Sequence, residues 1–314
     1  MKKIMLALLI IALILPAAFA GGAKETTDTK AIRLGVTIED FNDVFMRYLL
    51  DELTDEAKKG GAIVSAMDGR RDPSEQVRQV ENFVVQKVDA IIIHVIDNTL
   101  APEITRIATN AGIPLVYVNR KPDDADMKGD KVVAVASPEP VAGRLQAEFV
   151  VKKMGDKGNV VILMGSMGTA PQIGRTAGAK EVFAKYPGIK VTREQTANFQ
   201  RSDAVTVMEN WLASGDQINA VVANNDEMAI GAVLALEEKG LKDKVIVTGV
   251  DATADAMEFI EKGRLDMTVF QNAGAQGRGS VQAALKLVKG EAVSKFVEIP
   301  FEPVTQENYK NYKK

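Results

Sequence analysis

The sequence predicts an α/β protein of two doubly wound, Rossmann-like lobes, each built on a parallel sheet. From residue 31 onwards, short runs rich in β-branched residues alternate with amphipathic helical patterns, which is typical of βα units. The runs form two successive series, and each series is long enough for one domain. A length of 314 residues also fits two domains. We therefore expect two lobes rather than one large sheet.

The β-branched runs predict ten strands. The first series comprises residues 32–38, 62–67, 89–96, 113–119 and 131–136. The second series comprises residues 159–165, 189–197, 219–224, 244–251 and 265–271. Because consecutive strands of a βα fold need a helix between them, helical patterns should fill the intervals. Such patterns lie, for example, at residues 43–59, 73–87, 101–111, 202–212 and 227–239.

The order of these elements also predicts how the chain divides into lobes. We assign residues 31–136 and 272–297 to the N-terminal lobe, and residues 137–271 and 298–314 to the C-terminal lobe. The chain would then cross a hinge three times, near Ser137, at residues 271–274 and near Pro300. The glycines of "GAQGRGS", residues 274–280, lack the preceding strand that a dinucleotide-binding fingerprint requires. We interpret them as hinge and turn residues.

The first twenty residues have the pattern of a secretory signal peptide. Two lysines precede an apolar segment at residues 4–15, which is too short to span a bilayer, and "AFA" ends at Ala20. A retained membrane anchor is the alternative. The chain contains no cysteine, so no lipid can be attached at the cleavage site. We predict residues 1–20 to be removed and the mature protein to diffuse freely in a periplasm, without a lipid anchor.

Composition argues against several classes of function. A net charge of −3 without basic clusters gives no electrostatic reason to expect nucleic acid as a partner. Cysteine chemistry is impossible, and the only histidine, His94, lies in an apolar run without a nucleophile motif nearby. We expect His94 to be structural, and we predict neither an enzyme nor a cofactor. Two carboxylates, Asp43 and Asp251, leave a glycosidase open as an alternative.

Polar and aromatic side chains follow nearly every predicted strand. Ligands of open parallel sheets bind at the carboxyl ends of the strands, so these side chains should line one cleft if the lobes face each other. Planar amides, carboxylates and guanidinium groups can bond neighbouring hydroxyls, while aromatic rings cover the apolar face of a sugar. The predicted ligand-binding residues are Asp43, Phe45, Asn119, Arg120, Arg175, Phe199, Asn225, Asp251 and Gln271.

The polar residues that follow the strands could also have a purely structural role. Asn225 and Asp226 can cap the helix that follows them, and we assign the cap to Asp226 and the ligand contact to Asn225. Asp251 has the same alternative. Trp211 has helical spacing with Met208 and is expected in the core.

Several motifs resemble a known family. "ANNDEMAIGAVLAL", "VTGVDAT", "GRLDMTVFQN", "VYVNRKP" and "GVTIEDFNDVF" are similar to the periplasmic sugar-binding proteins of ABC importers. The resemblance extends from about residue 31 to the end, and it is nearest to the ribose-binding and glucose/galactose-binding types. It implies the type I periplasmic binding protein fold. It also implies a protein that captures a monosaccharide between its lobes and delivers it to a membrane permease.

The resemblance also implies roles for individual residues. Phe45 and Phe199 match the family's two stacking rings, and Asp43 matches an acid that binds hydroxyl groups. Asn119 resembles the glucose/galactose type, whereas Arg120 and Gln271 resemble the ribose type. The remaining matches are the sugar-binding Arg175, the binding Asn225 and the binding acid Asp251.

Two departures separate this chain from the glucose/galactose type. That pattern would have His and Asp where Thr169 and Pro171 stand, which removes two polar contacts to glucose or galactose. The calcium loop of that type is also missing, because "KKMGDKGNVV" lacks the oxygen ligands of a calcium cage, and we predict no metal. Ribose, hexoses and polyols such as inositol all remain open as ligands.

The predicted mechanism is hinge closure. Sugar would contact both lobes and so favour the closed state, which an ABC permease recognises. We expect a monomer. A sugar-sensing module that docks on a chemotaxis receptor is the alternative role, whereas a repressor would need an N-terminal helix-turn-helix that the sequence lacks. Replacing Asp251 or Arg175 by alanine is expected to abolish binding and leave the fold intact.

Overall fold

The computed structural model describes residues 31–312, which form twelve strands and nine α-helices. The strands are β1 Ile32–Ile38, β2 Ala62–Asp68, β3 Ala90–Ile93, β4 Leu115–Asn119, β5 Val132–Ala136, β6 Lys157–Met164, β7 Gly188–Thr196, β8 Ala220–Ala223, β9 Ile246–Thr248, β10 Met267–Gln271, β11 Phe296–Glu298 and β12 Phe301–Thr305. The helices are α1 Val44–Lys59, α2 Pro73–Val85, α3 Ala101–Asn110, α4 Glu139–Met154, α5 Ala170–Phe183, α6 Arg201–Ala213, α7 Asp226–Glu238, α8 Ala254–Glu261 and α9 Ala273–Val288. The predicted signal peptide and its cleavage site lie outside the described residues.

The strands form two six-stranded sheets with similar topology. The first has the order β11-β5-β4-β3-β1-β2 and is entirely parallel. The second has the order β12-β10-β9-β8-β6-β7, and only the pair of β12 and β10 is antiparallel. The predicted fold of two doubly wound sheets is confirmed.

Each sheet is covered by helices on both faces. Helices α1 and α9 pack together on one face of the first sheet, and α2 and α3 on the other. In the second sheet, α4 pairs with α5 and α6 pairs with α7. Because both faces are covered, the central strands are apolar throughout, as in the fully buried "AIII" of β3. Trp211 is buried with Met208 in the core of the second sheet, as predicted.

The ten predicted strands are all present, with small differences at their ends. The largest difference is at β9, which shortens to Ile246–Thr248 because the following residues turn out of the sheet. Strand β11 lies outside the ten predicted runs, and strand β12 was not predicted from the sequence. Strand β12 pairs with β10 and adds an antiparallel edge strand to the second sheet.

The interpretation of residues 274–280 as hinge and turn is wrong, because they form the first half of α9. The glycines serve close helix packing instead. A β-carbon at Gly277 would lie 2.7 Å from the carbonyl oxygen of Leu49 and 2.9 Å from the amide nitrogen of Leu53, both on α1. Only glycine allows α1 and α9 to approach this closely.

The chain passes between the two sheets three times, after β5, after β10 and after β11. In each sheet the parallel strands end at the same edge, and the loops there begin the next helices. No helix within residues 31–312 is both long and apolar enough to span a membrane.

Candidate ligand-binding site

One cavity is lined by every side chain that the sequence predicts to bind ligand. It encloses about 440 Å³ of space, including the part open to solvent. Elements of both sheets contribute, so the nine side chains converge although they are scattered between residues 43 and 271. Five further residues line the same cavity: Glu39, Met46, Arg71, His94 and Pro171.

The additional residues follow the same rule as the predicted ones. Glu39, Arg71 and His94 come directly or closely after β1, β2 and β3, where the strands of a parallel sheet end. The residues that follow the second strand were not among those predicted to bind ligand. Their charged segment "DGRRD", which contains Arg71, was the signal that could have identified this part of the site. His94 is fully buried, as a structural residue would be, but it also lines the cavity.

Backbone conformation sets these side chains apart from ordinary surface loops. Four residues that line the cavity have a positive φ without being glycine: Arg71 at 57°, Asn119 at 66°, Phe199 at 60° and Asp251 at 123°. Such conformations are strained for residues with a β-carbon and persist only where the surrounding structure enforces them. The surrounding structure therefore holds four of the residues that line the cavity in unusual backbone conformations.

Arg120 is held in place by three groups around it. Its Nη1 donates to the carbonyl oxygens of Val95 at 3.0 Å and Ile96 at 2.9 Å, and its Nη2 lies 2.5 Å from Glu39 Oε2. Its Nε is buried and has no partner within the described residues. The guanidinium group is thus fixed and neutralised, and it keeps one donor for a molecule in the cavity.

Arg175 forms a similar buried cluster next to the second sheet. Its Nε donates to Glu139 Oε2 at 2.6 Å, its Nη1 to the carbonyl oxygen of Asn224 at 2.6 Å, and its Nη2 to Gln271 Oε1 at 3.2 Å. Burial lowers the pKa of Arg175, but the carboxylates of Glu139 and Asp251 more than offset this, so the pKa is raised. Arg175 therefore stays charged and orients Gln271, whose Nε2 has no partner among the described residues.

Asp251 faces the same cluster with a carboxylate that accepts no hydrogen bond from residues 31–312. Its Oδ1 lies 3.8 Å from Arg175 Nη1, and the side chain is 7% exposed. Burial raises its pKa well above the ordinary value, Arg175 opposes this, and Asp226 adds repulsion. A buried acceptor without a donor is suited to the hydroxyl hydrogen of a ligand.

The roles of Asn225 and Asp226 differ from the prediction. Asn225 caps α7, because its Oδ1 accepts from the amide of Met228 at 3.0 Å, and it also lines the cavity. Asp226 is not the cap. It is fully buried and accepts from the Thr253 amide at 2.9 Å and the Thr268 hydroxyl at 2.6 Å, and so links the loop after β9 to β10.

Two phenyl rings complete the walls of the cavity. Phe45 lies in the first turn of α1, next to Asp43, which caps that helix by accepting from the Met46 amide at 3.0 Å. Phe199 lies against Gly165, where a β-carbon would come within 1.9 Å of the ring. Glycine at position 165 thus makes room for the ring. The walls combine apolar faces with hydrogen-bonding edges, which suits a hydroxylated ring.

Carboxylates accompany every arginine of the cavity, and Asp43 and Asp251 line it as well. The three arginines that line it each have a carboxylate partner: Arg71 pairs with Asp40 at 2.8 Å, Arg120 with Glu39, and Arg175 with Glu139. A phosphate or carboxylate ligand would need an unpaired cation. The cavity therefore disfavours an anionic ligand. Within residues 31–312, no group of three or more metal-ligating side chains is present.

Two wound α/β sheets that enclose one polar cavity at their strand ends define a solute-binding protein of the type I periplasmic binding protein fold. The sequence profile described as "Periplasmic binding protein domain" matches residues 34–292. The chain belongs to this family, and the predicted family and fold are thereby confirmed.

Similar proteins bind polyols and sugars. A "putative rhizopine-binding protein" from Rhizobium meliloti is 41% identical over 92% of this chain and 95% of the relative. A xylitol-binding protein from Mycolicibacterium smegmatis is 34% identical over 94% of this chain and 82% of the relative. An ABC transporter solute-binding protein from Bacillus halodurans C-125, solved with bound myo-inositol, has a TM-score of 0.86 and 42% identity, over 91% of this chain and 99% of that one.

Proposed function

We propose that this chain binds a cyclic polyol of the inositol type between its two lobes and delivers it to an ABC permease. The proposal rests chiefly on the residues that line one cavity and carry polar atoms without a protein partner in the described part of the chain. Arg120, Gln271 and His94 each carry a buried nitrogen without a partner among the described residues, and Asp251 approaches Arg175 only to 3.8 Å. Hydroxyl groups both donate and accept, so a polyol can satisfy all of them at once.

Two of the similar proteins support a polyol as the ligand. The solved structure with 42% identity contains myo-inositol, and one relative is named for xylitol. Both ligands are neutral and carry a hydroxyl on every carbon, which matches the many hydrogen-bonding groups of the cavity. The loss of the two polar contacts at Thr169 and Pro171 is consistent with a ligand other than glucose or galactose.

The binding cycle that we propose is hinge closure without chemistry. The lobes, residues 31–136 with 272–297 and residues 137–271 with 298–314, close on the ligand because it contacts both, and the closed form docks on the permease. The chain acts as a monomer in the periplasm after cleavage behind Ala20, without a lipid anchor. The three crossings between the sheets support the hinge.

Calorimetry on the mature chain tests the ligand class. Myo-inositol should bind with a micromolar dissociation constant, about −8 kcal/mol, whereas a phosphorylated inositol should not bind, because no unpaired cation receives it. Ribose, glucose and xylitol serve as competitors. Tight binding of the phosphorylated compound, or no binding of any neutral polyol or sugar, would overturn the proposal.

A pair of isosteric variants tests the site. Asp251→Asn removes one acceptor from the cavity and should weaken polyol binding by about 10-fold to 100-fold. Asp216→Asn is the matched control, since Asp216 pairs with Arg193 at 3.0 Å and does not line the cavity. Equal affinities of both variants and the unmodified chain would show that the cavity is not the binding site.

A further inference from the structure

His94 has one ring nitrogen engaged and one free. Its Nε2 lies 3.2 Å from Asn119 Oδ1, whereas its Nδ1 is buried without a partner in the described part of the chain. The nearest carboxylate oxygen to Nδ1, Oε2 of Glu39, is 3.9 Å away, which is too far for a hydrogen bond. Both residues line the cavity.

A chain of hydrogen bonds from Ser137 to His94 is consistent with a proton on Nε2. Gln276 Nε2 donates to Ser137 Oγ at 2.9 Å, and Gln276 Oε1 accepts from Asn119 Nδ2 at 2.9 Å. In this network Asn119 Oδ1 faces His94 at 3.2 Å, and Nε2 of His94 is its donor. Burial, followed by the charge of Arg120, lowers the pKa of His94 well below its usual value. The ring is neutral, and Nδ1 is a bare acceptor.

The same corner of the cavity contains a free donor. Arg120 Nη2 bonds the Glu39 oxygen that faces His94, while Arg120 Nε is buried and without a partner among the residues described. One unpaired acceptor and one unpaired donor thus lie around a single carboxylate. A hydroxyl is the small group that can donate to the first and accept from the second. An ether oxygen cannot donate, and an ammonium cannot accept.

We propose that His94, together with Glu39 and Arg120, forms a hydroxyl-selective subsite in which Nδ1 of His94 accepts a hydrogen from the ligand. This deepens the proposed function and rests on it. His94 is then a specificity-determining residue rather than only a structural one. A polyol that lacks the hydroxyl at this corner leaves buried groups unpaired, and we expect it to bind about 100-fold more weakly.

Two substitutions of His94 separate ligand contact from structural support. His94→Gln keeps a donor near the Nε2 position for Asn119 but removes the acceptor at Nδ1. His94→Asn keeps an acceptor near Nδ1 but loses the bond to Asn119. If Nδ1 contacts the ligand, the Gln variant should lose about 10-fold to 100-fold in affinity for myo-inositol and the Asn variant should lose less. The reverse order would overturn the proposal.

Ligand analogues give the second arm of the test. Singly deoxygenated inositols are titrated into the unmodified chain and into His94→Gln by calorimetry. One analogue should bind the unmodified chain about 100-fold more weakly than myo-inositol does. The His94→Gln variant should bind this analogue and myo-inositol equally, because the same contact is already missing. If every analogue shows the same ratio between the two proteins, an ordered water rather than the ligand occupies the corner, and the proposal fails.

A spectroscopic measurement needs no substitution and so remains decisive if the variants do not fold. His94 is the only histidine in the sequence, so ¹⁵N-histidine labelling of the untagged chain reports its two ring nitrogens alone. Nδ1 should resonate as an unprotonated nitrogen and move upfield when myo-inositol is added. An unchanged Nδ1 signal despite tight binding would refute the subsite and leave the proposed function standing. Absence of all polyol binding would refute the proposed function itself.

Discussion

Arg175 is predicted to stabilise the second lobe as well as to contribute to binding. Its side chain is 4% exposed and that of Glu139 is 7% exposed, so both partners of the ion pair are buried. Replacing Arg175 by methionine keeps much of the volume but leaves Glu139 and the carbonyl oxygen of Asn224 without their donor. The burial of Arg175 thus argues against the expectation from sequence that its replacement leaves the fold intact.

The magnitude follows from the contacts that are lost. Breaking one partner of a buried ion pair costs about 3–5 kcal/mol, because an uncompensated charge stays in a low-dielectric site. Removing both partners, as in Glu139→Gln with Arg175→Met, should recover part of this loss. The matched control is Arg144→Met: Arg144 pairs with Glu181 at 3.2 Å, but the two side chains are 35% and 53% exposed. A surface pair of this kind contributes about 0–1 kcal/mol.

Urea unfolding measures these differences. Trp211 is the only tryptophan and is buried in the core of the second sheet, so its fluorescence reports the lobe that contains Arg175. The free energy of unfolding should fall by about 3–5 kcal/mol for Arg175→Met and by less than about 1 kcal/mol for Arg144→Met. Equal effects of the two substitutions, or a double variant no more stable than Arg175→Met, would refute the reasoning.

Two further predictions concern Asp226 and Gly165. Burial raises the pKa of Asp226 to about 7 in the folded chain, so its contribution to stability is complete below the unfolded value of 3.8 and is lost as the pH rises through about 7. Asp226→Asn should therefore flatten the decline of the urea midpoint between these pH values, and an unchanged decline would contradict the assignment. Gly165→Ala should push the Phe199 ring aside and weaken polyol binding by about tenfold in calorimetry, since its β-carbon would lie 1.9 Å from the ring. Gly279→Ala is the control, because its β-carbon would meet only a methyl of Val135 at 3.1 Å, away from the cavity, and an equal loss of affinity there would contradict the role of Gly165.

Local patterns predicted most of the architecture. Strand β1 was predicted with both ends at the observed residues, and the other nine predicted strands differ at their ends only. These elements follow from short-range hydrophobic periodicity, which the sequence displays directly. Strand β12 and the helical glycines of α9 escaped prediction because they depend on partners far along the chain. Strand β12 pairs with β10, and Gly277 packs against Leu49.

The sequence predicted nine of the fourteen residues that line the cavity, but it did not predict all of their roles. Strand exits supplied all nine predicted residues that line the cavity, because parallel strands deliver their ends to one edge. The helix cap was predicted at Asp226 but lies at Asn225, since helix caps depend on the geometry of the turn. His94 was assigned to structure because an apolar run around a histidine does not reveal that the residue lines a cavity.

The sequence by itself determined the order of strands and helices and the kinds of polar group that follow each strand. Those features are set by residues within a few positions of one another. Only the tertiary structure decided which atoms are left free to bind a ligand, because each partner lies far away in sequence. Asn119 meets Gln276 across 157 positions, and Arg175 meets Gln271 across 96. The hydrogen bonds that remain unmade after such pairings, and hence the ligand that the cavity accepts, exist only in the folded chain.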